Sequence, residues 1–215
     1  MRYREAHVTT NEIWRYIGSE RSDLADTWES LTPERWDSAS WCEGWSVRDV
    51  AGHLVASAEQ TPGHFFAEFA GARFRFNVFA ERGAQRCAAA GPSELIRRLR
   101  ARTTTRNHPP GPVNAMLGEV VVHGDDFRRP LGLSHQTPEA ALLVVADSWK
   151  KSNLLIGSKR RIAGLRLAAT DSTWNHGDGP EVSGPLQSLI LAMTGRTQVL
   201  DDRSGDGVAL LAKRP

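Results

Sequence analysis

The chain of 215 residues has little of what most quickly declares a protein's class. Its only cysteines are Cys42 and Cys87, too few for a disulfide framework and without the CxxC spacing of a zinc ribbon. No apolar run approaches the roughly 18 residues that a membrane-spanning helix needs. Met1 to Glu12 is charged and has no apolar core segment, so it does not read as a signal peptide. There is no internal repeat and no low-complexity tract. Charge of one sign is also missing: 27 basic residues face 25 acidic ones. The basic runs Arg97-Arg98, Lys150-Lys151 and Lys159-Arg160-Arg161 read as solvated helix ends or linker rather than a nucleic-acid surface. The expectation is a cytoplasmic monomer or homodimer with neither nucleic acid nor membrane as partner.

What is present is helical periodicity. Ile13, Ile17, Leu24, Trp28 and Leu31 form one apolar stripe on a helix that Asn11 can cap and Thr32-Pro33 stops. Trp36, Trp41 and Trp45 lie among turn formers, where they can plug one end of a bundle or stack on a ligand. Ser46-Val47-Arg48-Asp49 fits a capping box, opening a second helix through Val50, His53, Leu54 and Ala56 that Pro62-Gly63 disturbs. Helical material continues from Phe74 to Ala90. A further amphipathic helix follows Gly91-Pro92, and residues 107–112 form a proline-rich loop. After a long helix ending near Pro130, Thr137-Pro138-Glu139 opens another, with threonine as cap, that runs to about Gly157. The texture then changes: Gly164–Thr170 alternates like a strand, Pro180–Ser183 is a short strand, Pro185–Thr194 a helix and Gly207–Leu211 a last strand. The fold class is therefore mainly α. A helical bundle over residues 1–157 precedes a small α+β domain over residues 158–215.

The chemistry-bearing stretch is GEVVVHGDDFRRPLG, Gly118 to Gly132. On a helix, Glu119, His123 and Asp126 stand four and three residues apart and project from one face. A carboxylate and an imidazole one turn apart are the minimum for holding a divalent metal from a single helix. His53, among apolar neighbours on the second helix, is either a core residue bonded to a neighbour or a third donor from a facing helix. His64 cannot join it, since eleven residues of unbroken helix span roughly 16 Å. Two imidazoles and one carboxylate leave a metal position open, the ligand count of a catalytic zinc site. Asp126 is then either the acceptor that fixes the His123 tautomer or a backbone cap.

The run WCEGWSVRDVAGHL, Trp41 to Leu54, resembles the signature that opens the second helix in the mycothiol-dependent maleylpyruvate isomerase family, within the DinB-like metal-binding bundle superfamily. GEVVVHGDDFRRPLG resembles that family's second metal signature. The tail (GLRLAATDS, EVSGP and MTGR) is similar, more loosely, to its small C-terminal domain. The resemblance implies an up-down four-helix bundle and a metal, usually zinc, on His53, Glu119 and His123, with mycothiol as cosubstrate. Many relatives place a bulky residue where this chain has Gly124-Asp125, which points to a different pocket floor and leaves maleylpyruvate unassumed as substrate.

Zinc lowers a thiol's pKa enough to give a thiolate near neutral pH. Attack of that thiolate on an unsaturated acid allows isomerisation, whereas attack on an alkyl or epoxide carbon leaves an S-conjugate. Neither cysteine is near Glu119 and His123 in sequence, so an external thiol suits the arrangement. Arg196, of MTGR, is the catalytic candidate in the small domain, to grip an anionic substrate or mycothiol; its alternative is charge at a helix end. A non-catalytic metal-binding module with a sequestering, stress or regulatory role is the competing reading, and an inert bundle a third.

Overall fold

The structure, a computed structural model, describes residues 8–154 and 156–214, with the side chains of residues 201 and 202 left aside. The rest of the charged lead-in, residues 1–7, lies outside them. The contacts divide the chain into two compact units, one of Thr9–His135 and one that contains Gln136–Pro215.

In the first unit the helices are α1 (Thr10–Glu29), α2 (Pro33–Trp36), α3 (Val47–Glu59), α4 (Pro62–Gly71), α5 (Phe76–Ala88), α6 (Pro92–Arg100) and α7 (Val113–Arg128). α1 packs on α6 and α7, and α3 packs on α5, α6 and α7. Four of the five residues of the expected stripe are buried on α1: Ile17, Leu24 and Trp28 fully and Ile13 nearly so, each contributing about 1.5–3 kcal/mol of transfer free energy, while Leu31 lies past the helix end and is half-buried. Its cap is Thr9 rather than Asn11, because Glu12 sits three residues after Thr9 and closes a reciprocal box. The box at Ser46 and Asp49 forms as read, with the Ser46 backbone N–H donating to Asp49 Oδ2 at 3.0 Å. Pro62 starts a new helix, capped by Thr61, so His64 and His53 are on separate elements. Between α4 and α5, Arg73 and Phe74 both take positive φ, a turn without glycine that residue type does not signal.

α3 and α5 approach so closely that glycine is required at one point. A Cβ on Gly52 would fall 2.3 Å from the carbonyl oxygen of Ala84. The residue that follows is His53, so this contact sets where the imidazole stands.

In the second unit, α8 (Glu139–Trp149) is followed by α9 (Ser158–Arg161), β1 (Arg166–Ala169), β2 (Asn175–His176), β3 (Glu181–Gly184), α10 (Leu186–Met193), a 3-10 turn at Thr197–Asp202 and α11 (Val208–Ala212). The sheet order is β2-β1-β3, with β2 antiparallel and β3 parallel to β1. Leu167 pairs with His176 on one side and Val182 on the other. α8 packs on α10, and Trp174 donates from Nε1 to Asp147 Oδ1 at 3.0 Å. By these contacts the division of the chain falls before α8, not after residue 157. Pro138 is the cap of α8 and its last residue is Trp149, short of Gly157. Gly207–Leu211 is not a strand: residues from Val208 wind into α11, since a short apolar run carries no periodicity that separates strand from helix. No helix among the described residues is long and apolar enough to cross a membrane.

Candidate metal centre

The site is built by α3, α7 and the loop between α2 and α3. Ser46 starts α3, and the helix carries His53 two turns in. α7 presents Glu119, His123 and Asp126 from one face. The loop is fixed by its own hydrogen bonds. Ser40 donates from Oγ to the Trp45 carbonyl at 2.8 Å, and the Trp41 backbone N–H donates to the Asp126 carbonyl at 2.8 Å. This pins the loop to α7 and sets two of its side chains, Cys42 and Trp45, beside the histidines.

His53 Nε2 lies 3.4 Å from Glu119 Oε1. The rings of His53 and His123 meet edge to face with centroids 4.7 Å apart. His123 Nδ1 lies 2.8 Å from Asp126 Oδ2, and Asp126 is fully buried. His53 thus meets both Glu119 and His123, and His123 meets Asp126, but the donor atoms of His53, Glu119 and His123 do not all come within 4.8 Å of one another. The fifth side chain singled out from the sequence, Arg196, is in the second unit, where its Nη1 donates to the Thr194 carbonyl at 3.3 Å. It lines a cavity of about 10 Å³ together with Arg161 and Arg214.

Each carboxylate has a distinct environment. Glu119 Oε1 is buried and has no hydrogen-bond donor. Burial raises its pKa above the ordinary carboxylate value, against the opposing pull of His123, the Ser57 hydroxyl and Arg21. Asp126 accepts from the Cys42 thiol at 3.1 Å as well as meeting His123. Burial pulls the His123 pKa down, but Asp126 and Cys42 outweigh it and carry the imidazole up to about 10. The Asp126 bond commits Nδ1, so the ring's other nitrogen is the one left for a ligand.

Cys42 and Trp45 are the residues that sequence spacing missed as part of this cluster. Cys42 Sγ is 3.7 Å from His123 Nδ1, and Cys42, His123 and Asp126 place donor atoms within 4.8 Å of one another. Trp45 lies against His53, ring centroids 5.4 Å apart. The three tryptophans do not form one plug: Trp36 packs on Trp28, and Trp41 lies under Arg129. Along with Phe76, Glu81 and both histidines, Cys42 and Trp45 line a cavity of about 480 Å³. Gly124 is not its floor, because a Cβ there would meet Arg128 at 2.9 Å and Leu24 at 3.4 Å, toward α1.

Residues 17–108 match the family model described as the mycothiol maleylpyruvate isomerase N-terminal domain. This span is therefore similar to the mycothiol maleylpyruvate isomerase N-terminal domain. The matched span includes Cys42, Trp45 and His53 and stops before Glu119. The fold is similar to the crystal structure of the mycothiol-dependent maleylpyruvate isomerase, with a TM-score of 0.64, 16% identity and 93% of each chain covered. A histidine-to-alanine mutant of a mycothiol-dependent maleylpyruvate isomerase gives the same TM-score at 15% identity, again with 93% of each chain covered. At that identity the likeness speaks for a maleylpyruvate isomerase fold. No curated protein matches the chain by sequence.

Proposed function

We propose that this chain is a metal- and mycothiol-dependent enzyme that activates a low-molecular-weight thiol for attack on a small electrophile, by isomerisation or S-transfer. The observation that carries the reading is that His53 stands against both Glu119 and His123 beside a cavity large enough for a ligand. These side chains fit a divalent ion, zinc in our reading. Glu119 Oε1 is a buried oxygen without a donor, and the two imidazoles leave an incomplete coordination shell. Such an ion, when bound, supplies the positive charge that keeps a thiol sulfur ionised near neutral pH.

The remaining residues act by binding and orienting. Asp126 accepts the Nδ1 proton of His123 and holds the ring in one tautomer and one orientation. The Cys42 thiol donates to the same carboxylate and keeps it from swinging away. Trp45 and Phe76 offer aromatic surface for the organic part of a bound molecule and exclude water from the sulfur. Arg196 is the cation proposed to grip an anionic group of the thiol or the electrophile. The reading places the protein in the cytoplasm, where such a thiol is kept reduced.

His53→Ala tests this reading. It should remove the bound ion and abolish thiol-dependent conversion of electrophiles, followed across a panel by loss of the starting electrophile, since isomerisation returns the thiol and only S-transfer consumes it. Metal retained in full by that variant would sink the assignment. Tight metal binding with indifference to mycothiol would instead leave the non-catalytic module.

A further inference from the structure

A second donor cluster stands in the same unit, made of residues that the proposed function does not use. Glu20 and Asp23, one turn apart on α1, and His135, beyond the end of α7, bring one ligand atom each within 4.8 Å of one another. His135 Nε2 is 2.9 Å from Glu20 Oε2. Glu20 is 1% exposed, and its other oxygen, Oε1, is buried without a hydrogen-bond partner. A buried carboxylate oxygen left unpaired costs at least about 1–3 kcal/mol, so this geometry calls for a cation.

The buried guanidinium of Arg128 places charge nearby but no hydrogen bond on that oxygen. Arg128 Nη2 donates to Thr27 Oγ1 at 3.4 Å and makes no hydrogen bond to Glu20 or Asp23. Three carboxylates, Glu20, Asp125 and Asp23, act on that one buried charge. Asp125 is matched by Arg129 at 3.0 Å. Glu20 and Asp23 remain in excess over Arg128.

We propose that Glu20, Asp23 and His135 form a site for a second divalent transition-metal ion. Two carboxylates and one imidazole suit zinc or manganese, with water completing the shell. An ion there clips α1 to the segment after α7. Glu20 and His135 are 115 residues apart in sequence, and a clip that closes so long a loop removes much of the freedom of the unfolded chain. The role is fastening the bundle, not chemistry.

The test is a metal count on the full chain, purified without chelator, loaded with zinc and desalted before elemental analysis. Wild type should carry two equivalents, His135→Gln one, His53→Ala one, and the double variant none. Because Glu20 is buried, Asp23→Asn at a half-exposed position serves as the variant that keeps the fold. Zinc should raise the melting temperature of His53→Ala and leave His53→Ala/Asp23→Asn unmoved. An undiminished count in both His135→Gln and Asp23→Asn would overturn the site. A count that falls in His135→Gln and not in His53→Ala would support it while refuting the metal centre proposed above.

Discussion

Replacing Gly52 by alanine adds a methyl group where two helices lie backbone to backbone. The new Cβ would fall 2.3 Å from Ala84 O and 2.9 Å from Ala88 N. Ordinary contact starts near 3.4 Å, so α3 and α5 must part by about 1 Å. Alanine is the better helix former by about 1 kcal/mol. Overpacking costs about 1–3 kcal/mol, and contact with rigid backbone puts this case at the upper end. The net loss is about 2 kcal/mol, a fall in melting temperature of about 4–8 °C for a chain of this size. His53 is carried along with the helix, and a 1 Å misplacement at a reacting centre can cost about 100-fold in rate. Thermal unfolding followed by circular dichroism, with zinc affinity measured alongside, checks both effects. Gly63→Ala is the control. Nothing lies within 4 Å of its added Cβ, and the substitution in α4 should stabilise by about 0.4–1 kcal/mol. A Gly52→Ala protein that melts at or above wild type would refute the close-packing argument.

Asp126→Asn should weaken zinc binding by about 10–100-fold while leaving the helical signal intact, because the His123 ring loses the acceptor that orients it; isothermal titration measures the change. Cys42→Ser should retain the metal count of wild type, since its hydroxyl can still donate to Asp126; loss of the ion would make Cys42 a ligand in its own right. His176 in the second unit has its pKa lowered from 6.5, by burial first and then by Lys150. The unfolded chain therefore takes up a proton first as pH falls, and stability is lost on going below 6.5 toward the folded value. Urea midpoints on either side of that pH should differ less for His176→Gln than for wild type.

The part of the site on α7 was legible because helical periodicity is strict: Glu119, His123 and Asp126 share a face whatever the rest of the chain does. Ser46 with Asp49 was equally plain, a local bond between near neighbours. The loop that delivers Cys42 and Trp45 was opaque for the opposite reason. Its course is set by Trp41 bonding to Asp126, a contact between residues far apart in the chain, and nothing in its own residue types announces that partner. The same holds for the turn at Arg73 and Phe74, where packing imposes a conformation that neither side chain favours. α8 was assigned by continuity with the bundle helices before it, yet its buried face is completed by α10 and Trp174. Arg196 could be named from its motif, but its use depends on surroundings that one residue's spacing does not describe.

The donors on α7 and the loop that supports them lie far apart in the sequence, with Cys42 and His123 separated by 81 positions. Closing so wide a span is entropically costly and slower than forming the helices themselves. During refolding, helical ellipticity should therefore rise before the chain gains any grip on an ion. A cobalt absorbance band would time the last step of assembly rather than the first.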